Sequence, residues 1–485
     1  MTIELIGIIT LVVGFLSFLF DSAVIVYVFF SATLLGSAAA FVLDSLGGTN
    51  ISPAHLLLGF LVVRLLRNPV INHKIAEAVS PGRPGFWLLL TVLYGGVSAY
   101  FLPRLFAGQT FVVLVRAVDP FSYPLEPVMS NLTQTIYLVA DCVCFLIING
   151  YAGSTLGRAA LRNAAILSVI LNLIFAGLDL LTYSTGTADF LSFIRNANYS
   201  LLFEDQVTGM KRIVGSFVEA SSFGAATLGY FAFSSTLWLL GIRPRLMFTL
   251  SILSLCALIF STSSTAYGGL AVTLLLGYFA TFVVAMRGRS TIQMTSFLVA
   301  APIVLSILFC IISLNDNYSA FVNDLLDSTV FGKFSTSSGL ERSSWNRQAL
   351  QVFVDTFGFG AGNGSMRTSS FALAVLSNLG VIGTLLFSFF FIGLFFGGRA
   401  DGEPDQLEHA TRLAAKSACM AWLISATISS ALTDLGMPFF AFAAIGCARA
   451  DPVTSKNGPD ARDLVESTNR TALAVESGQQ LRWPY

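Results

Sequence analysis

Segment 339–368 concentrates residues whose types and spacing suit the binding of an anion. A helix beginning near residue 339 would place Arg342, Trp345 and Asn346 on one face, because these residues are three and four positions apart. After this helix, four glycines alternate along the chain: Gly358, Gly360, Gly362 and Gly364. A glycine-rich backbone can direct its N–H groups towards an anion. The alternative is a flexible turn that returns the chain to the next apolar segment.

The predicted helix also has an apolar side, and the segment contains two further basic residues. Leu350 and Phe353 extend a stripe that predicts packing against the rest of the chain. Arg347 and Arg367 add two guanidinium groups to the segment. Because a guanidinium group matches phosphate oxygens in a bidentate fork, the pattern favours a phosphate-bearing ligand.

A second cluster of charge lies at 209–230. Lys211 and Arg212 precede an apolar stretch that carries Glu219. Since Arg212 and Glu219 are seven residues apart, a helix would place them on one face, with Arg212 at the mouth and Glu219 deeper. An ionised carboxylate inside a span costs about 2.5–3.5 kcal/mol, so it faces a cavity or pairs with a cation, and an internal ion pair is the alternative. Asp434, in the last apolar hairpin, is predicted at the same level.

Composition decides the class of protein. The chain has 485 residues, of which 55% are hydrophobic and 11% charged, with a mean hydropathy of +0.75 and zero net charge. Soluble domains carry roughly 25% charged residues. These values exclude a soluble enzyme, a disordered chain and a nucleic-acid-binding protein. The sequence contains no nucleotide-binding glycine loop and no histidine pair of metalloprotease type, so we expect chemistry without metal, nucleotide or other cofactor.

The apolar runs predict an all-α integral membrane protein, a polytopic bundle of about 11–13 transmembrane helices. Residues 1–450 form this membrane domain, and 451–485 read as a disordered cytoplasmic tail. Lysine and arginine recur in alternate short loops, which places those loops in the cytoplasm. Three long loops, 103–133, 184–214 and 315–368, then lie on the outer side. Loops of this length are uncommon unless they are functional or disordered.

Three blocks of residues occur in a fixed order between about 209 and 385. They read Arg212-x-x-Gly215-x-Phe217-x-Glu219-Ala220-Ser221; Arg342-x-x-Trp345-x-x-x-Ala349 with Gly358, Gly360 and Gly362; and Ser369-Ser370 with Leu379-Gly380-Val381-Ile382-Gly383. In this order they resemble the O-antigen ligase/polymerase superfamily of bacterial membrane glycosyltransferases. The layout of apolar segments is similar over most of the chain.

The resemblance implies a GT-C-like helical membrane fold with a large outward loop over the active site. It also implies transfer of a glycan from an undecaprenyl pyrophosphate carrier to an acceptor hydroxyl, without metal or nucleotide. Arg212 and Arg342 would hold the pyrophosphate, with Arg347 as a supporting residue. The remaining predicted contacts to pyrophosphate or glycan are Lys211, Trp345, Arg367 and Ser369.

One departure bears on the reaction. Ligases of the superfamily carry a histidine where this chain has Ser369, and its three histidines lie elsewhere in the sequence. The missing histidine favours the polymerase branch and leaves the general base open. Glu219 is the first candidate for that role and Asp434 the second.

The prediction is therefore a Wzy-type polymerase of the bacterial inner membrane, a multi-pass enzyme that joins lipid-linked oligosaccharide repeat units into exopolysaccharide, capsule or O-antigen at the outer face. Its expected partners are the undecaprenyl-pyrophosphate-linked oligosaccharide and membrane lipids, with a chain-length regulator and export machinery as further candidates. One alternative is a glycan ligase. The alternative from another class is a lipid-linked oligosaccharide flippase, although no internal repeat is visible and charges concentrate outside the midplane.

Overall fold

Most of the chain is helical in the computed structural model, whose described residues are 2–43, 48–115, 121–197, 203, 206–207, 209–331, 336–397 and 405–448. The predicted cytoplasmic tail, 451–485, lies outside the described residues. The described α-helices are α1 (Leu5–Leu16), α2 (Ser22–Ala32), α3 (Pro53–Leu65), α4 (Pro69–Ala78), α5 (Pro84–Leu105), α6 (Met129–Tyr151), α7 (Thr155–Ser184), α8 (Ala220–Leu239), α9 (Pro244–Phe260), α10 (Ser264–Met286), α11 (Ile292–Ser313), α12 (Asp316–Leu326), α13 (Ser337–Asp355), α14 (Phe371–Phe396), α15 (Gln406–Ile428) and α16 (Met437–Cys447).

Short strands and turns connect the helices. In the described residues the strands form three small antiparallel sheets: β1 (Thr2–Ile3), β2 (Phe41–Leu43) and β3 (Thr49–Ile51); β4 (Phe111–Val112) and β5 (Tyr123–Pro124); β6 (Gln206–Val207) and β7 (Met210–Lys211). Phe41 pairs with Ile51 in the first sheet. Two 3₁₀ segments and one π-helical turn complete the list: Ser17–Leu19, Ala188–Ile194 and Asp327–Phe331. Apart from β1, which precedes α1, these short elements lie between helices, so the described chain is mostly helical, as expected.

The helices identify a multi-pass membrane protein. Six helices of the described ranges, α5, α6, α7, α10, α11 and α14, are long and apolar enough to cross a membrane. The pair α3 and α4 passes the same test together but bends by 115°. This number is below the predicted 11–13 because several apolar runs form short helices. For example, α2 and α16 have 11 residues each, about 17 Å of helix against a hydrocarbon core of about 30 Å.

The last helix is the centre of the core. In α16, nine of 11 residues are buried, and it packs mainly on α15 and α6. The ring of Phe442 makes edge contacts with Phe233 at 5.2 Å and Trp422 at 5.0 Å between ring centroids. Such pairs add about 0.5–1.5 kcal/mol beyond the burial of their area. This packing fixes the N-terminus of α16, and with it the segment that carries Asp434.

The alternating glycines fill a break in α14. Gly380 interrupts the helix with φ +62° and ψ −162°, and segment 358–364 packs into the gap. Gly362 N donates to Asn378 O at 2.9 Å, and Val381 N donates to Gly358 O at 2.9 Å. The N–H groups of residues 358–363 all donate to other protein atoms. The N–H groups of residues 358–363 are therefore not free to cradle an anion, and the segment is a hydrogen-bonded connection that leads the chain from α13 into α14.

We expect Gly380→Ala to destabilise the protein strongly. Its backbone conformation is accessible to glycine almost alone, which gives about 1–3 kcal/mol of strain. In addition, an added Cβ would collide with the carbonyl oxygens of Gly358 and Phe359. Thermal unfolding in detergent measures the effect. The matched control is Gly277→Ala in α10, where a Cβ meets no atom within 4 Å; an equal loss in both variants would contradict the assigned role of Gly380.

Candidate functional site

Helix α13 positions two of the predicted site residues. Thr336 caps it by accepting from Gly339 N at 3.3 Å. Ala349 and Val352, 1% and 0% exposed, pack it on the bundle. They follow Arg342 and Trp345 by seven residues, so the same face of the helix turns Arg342 and Trp345 towards the interior. The predicted helix is confirmed, whereas Leu350 in the predicted packing stripe is 49% exposed.

The segment between the glycines and α14 supplies Arg367 and Ser369. Arg367 N donates to Val113 O at 2.9 Å, and Ser369 N donates to Asn346 Oδ1 at 2.9 Å. The Arg367 guanidinium carbon lies 4.0 Å from the centroid of the Trp345 ring. This cation–π contact orients the guanidinium group and is worth about 0.5–2 kcal/mol. These contacts hold α13 against the residues that immediately precede α14.

The end of α15 closes the site from another side. Arg342 Nη1 donates to Ser429 Oγ at 3.2 Å, and Thr368 N donates to Ala431 O at 3.1 Å. Asp434 follows in the turn before α16 and accepts from Gly436 N. Arg342 and Thr368 are therefore held by contacts between segments that are far apart in sequence, whereas Asp434 is held by a contact within its own turn.

Together these elements enclose a cavity of about 430 Å³, here named the arginine cavity. Six of the predicted site residues line it: Glu219, Arg342, Trp345, Arg367, Ser369 and Asp434. Further hydroxyl groups line it as well: Ser221, Ser222, Thr368, Ser425, Ser429 and Ser430. The cavity therefore combines two cations, two carboxyl groups, the indole rings of Trp345 and Trp422, and a wall of hydroxyls.

Positive charge dominates one part of the arginine cavity. Burial lowers the pKa of Arg367, and neighbouring Arg342 lowers it further, whereas Glu341 and Glu219 raise it. An arginine keeps its proton in proteins because its ordinary pKa is above 12. Two guanidinium groups that repel each other in a half-buried site favour the binding of an anion.

Glu219 also lines the cavity and interacts electrostatically with Arg367. It is the residue before α8, and its carboxylate accepts from Ser221 Oγ. Residues 212–219 precede this helix and are not helical. The expectation that Arg212 and Glu219 share one face of a helix is therefore wrong.

Three predicted site residues lie elsewhere. The described lining of the arginine cavity does not include Lys211, Arg212 or Arg347. Arg347 is exposed on α13, and Arg212 is half-buried and interacts electrostatically with Tyr267 of α10. Lys211 Nζ lies 3.4 Å from Asp179 Oδ2. Their proposed contacts with pyrophosphate stay predictions.

Lys211 belongs to a buried ionic cluster. Asp179 of α7 pairs with Arg195 Nη2 at 2.7 Å and accepts from Val214 N at 2.8 Å. A carboxylate with several donors can anchor irregular backbone without a regular element. The cluster fixes the chain just before Gly215 and so positions the approach to Glu219.

No family model, curated protein or solved structure matches this chain.

A metal site is not assembled from the described residues, since no three His, Cys, Asp or Glu side chains come together in a suitable group.

Sequence reasoning missed several residues around the cavity. Trp422 of α15 lines it, and its Nε1 donates to Ala226 O at 3.1 Å. Asp141 of α6 is 2% exposed and hydrogen-bonds to Asp434. His55 of α3 interacts electrostatically with Asp434. For Asp141 the sequence does give an indication, because an acidic residue inside a long apolar run is a candidate functional residue.

Proposed function

We propose that the protein is a membrane glycosyltransferase that polymerises lipid-linked oligosaccharide repeat units. The observation that carries the proposal is the arginine cavity, in which Arg342, Arg367, Glu219 and Asp434 share one enclosure. An enzyme of this class needs cations for a phosphate leaving group and a carboxylate for a proton. The resemblance of the three sequence blocks agrees with this class.

The proposed reaction is an inverting displacement at a sugar carbon. The acceptor hydroxyl attacks the anomeric carbon, the bond from that carbon to the pyrophosphate oxygen breaks, and the electron pair leaves with the pyrophosphate. Arg342 and Arg367 stabilise the charge that develops on this leaving group. A carboxylate of the cavity, Glu219 or Asp434, accepts the proton of the attacking hydroxyl.

The remaining lining suits a glycan. Trp345 and Trp422 offer apolar ring surface, and Ser425 and Ser429 offer groups that both donate and accept hydrogen bonds. A sugar ring presents apolar C–H faces and peripheral hydroxyls, so it can use both kinds of contact. A ligand with phosphate alone would leave the aromatic and hydroxyl wall unused.

The proposal also includes the membrane in which the protein lies, its orientation and its number of spans. We place the arginine cavity at the outer face of the bacterial inner membrane, in a GT-C-like bundle of about 11–13 spans. The carrier is then undecaprenyl pyrophosphate, and the product is exopolysaccharide, capsule or O-antigen. A chain-length regulator and export machinery are the proposed partners.

Analysis of surface and lipid-linked glycan in a strain without this gene tests the proposal. A polymerase predicts loss of long polymer while single repeats persist on the carrier and at the surface. A ligase predicts finished polymer that stays on the carrier. A flippase predicts that lipid-linked repeats accumulate on the cytoplasmic side. Either of the last two results would reject polymerisation.

A further inference from the structure

Behind the arginine cavity lies an acidic residue that the cavity lining does not expose. Asp141, in the middle of α6, is 2% exposed, and its side chain hydrogen-bonds to Asp434, which lines the cavity. Asp141 Oδ2 has no hydrogen-bond partner among the described residues. The neighbour to which this buried acid hydrogen-bonds, Asp434, is itself an acid.

A hydrogen bond between two carboxyl groups requires a proton. An ionised carboxylate only accepts hydrogen bonds, so two ionised groups in contact have no donor between them and repel each other. One proton held between the two groups removes the repulsion and provides the donor. A pair of this kind titrates as a unit, with properties that belong to neither residue alone.

Among the described residues, no lysine or arginine is one of the groups that interact with Asp141, while Arg342 and Arg367 line the cavity that Asp434 also lines. The groups that face the pair are Cys142 beside Asp141 on α6, and His55 of α3 beside Asp434. His55 Nδ1 lies 2.8 Å from Ser52 Oγ, and its ring packs on Tyr137 with centroids 5.1 Å apart. Gly436 N donates to Asp434 Oδ1. None of these groups is a lysine or an arginine.

We infer that Asp141 is a positioning residue that shares one proton with Asp434 and makes Asp434 the proton acceptor of the site. The inference rests on the proposed function and deepens it. In the step, the acceptor O–H bond breaks and its oxygen forms a bond to the anomeric carbon. The bond from the anomeric carbon to the pyrophosphate oxygen breaks, and its electron pair leaves with the pyrophosphate. The proton goes to Asp434, which leaves both acids neutral until one proton passes to water.

Infrared difference spectroscopy of the purified protein at neutral pH tests the shared proton. We expect the wild type minus Asp141→Asn spectrum to contain the carbonyl absorption of a protonated carboxylic acid. The matched control is Asn149→Leu, which removes another polar contact of α6, the bond from Asn149 Nδ2 to Ala444 O at 3.1 Å. That difference spectrum should lack the absorption. Absence of the absorption for Asp141→Asn would overturn the inference.

A second measurement separates positioning from folding. Asp141→Asn should lower polymer formation by about tenfold or more, since proton transfer to a placed base contributes about 10²–10⁴-fold. Inorganic pyrophosphate should raise the melting temperature of this variant as much as that of the wild type, because Arg342 and Arg367 are unchanged. Loss of the pyrophosphate effect would mean that the cavity has collapsed and would reject a positioning role.

The two measurements also distinguish this inference from the proposed function. If long polymer does not depend on this gene, the proposed function is rejected. The infrared difference would still support the proton shared by Asp141 and Asp434. Normal polymer in Asp141→Asn, in a strain whose polymer depends on the gene, would reject the inference alone.

Discussion

Replacement of Arg342 and Arg367 together by alanine is expected to abolish long polymer. The two guanidinium groups share the arginine cavity, and Arg342 is close enough to Arg367 to lower its pKa. Removal of one preorganised donor to a developing charge typically costs about 10²–10³ in rate, or about 2.7–4 kcal/mol. Each single variant should lower polymer formation by about that factor. The double variant should leave only single repeats.

The measurement is gel analysis of surface glycan in a strain that carries each variant in place of the wild-type gene. Arg104→Ala is the matched control, because Arg104 also lies on the predicted outer side but is exposed and packs on Tyr100 at 4.0 Å from the ring centroid. This control should make normal polymer. Long polymer in a double variant that reaches wild-type levels in the membrane would refute the role of both arginines.

Arg342→Lys separates charge from geometry at the same position. Lysine keeps the positive charge but loses the planar fork that matches phosphate oxygens. Arg342 Nη1 also donates to Ser429 Oγ, so the fork has a fixed orientation. We expect Arg342→Lys to retain part of the polymer that Arg342→Ala loses.

The sequence predicted the features that depend on local spacing. Arg342 and Trp345, three residues apart on a capped helix, do face the same cavity, because helical periodicity alone decides which residues share a face. The all-α membrane architecture was equally accessible, since long apolar runs in a chain with few charges have few other solutions.

The sequence could not predict features that depend on contacts between distant segments. The run of α14 contains Ser377, Asn378 and Gly380, but these residue types also occur inside regular helices, so they do not by themselves indicate the break at Gly380 that the glycines fill. Arg212 and Glu219 have helical spacing, but Asp179 of α7 anchors the backbone before Gly215 in an irregular form. The residue pattern within one segment does not show that a side chain from a distant helix imposes a different backbone conformation.

The two candidate bases have different surroundings, which the sequence did not distinguish. The Glu219 carboxylate accepts from Ser221 Oγ and interacts with the positive charge of Arg367. Asp434 instead contacts another acid, Asp141. A carboxylate engaged by a cation is suited to orient that cation, whereas a carboxyl group that shares its proton is suited to exchange one. Within the proposed function, we therefore take Asp434 as the base, ahead of Glu219.

Asp434→Asn is accordingly expected to lower polymer formation by about 10²–10⁴-fold, the usual contribution of a general base. Glu219→Gln should lower it by about tenfold, equivalent to about 1.4 kcal/mol, through a less well oriented Arg367. The substitutions are nearly isosteric, and gel analysis of glycan with matched protein levels compares them. A larger loss for Glu219→Gln would reverse the assignment.

Asp434→Glu adds the decisive control, because it keeps the carboxyl group and moves it by one methylene. A base acts on a proton only within hydrogen-bond reach, so the longer side chain should recover part of the rate that asparagine loses. Asparagine keeps an oxygen that can accept from Gly436 N but cannot take up the proton, whereas glutamate keeps the carboxyl group but displaces this contact. A smaller loss in Asp434→Asn than in Asp434→Glu would therefore show that Asp434 only shapes the turn before α16.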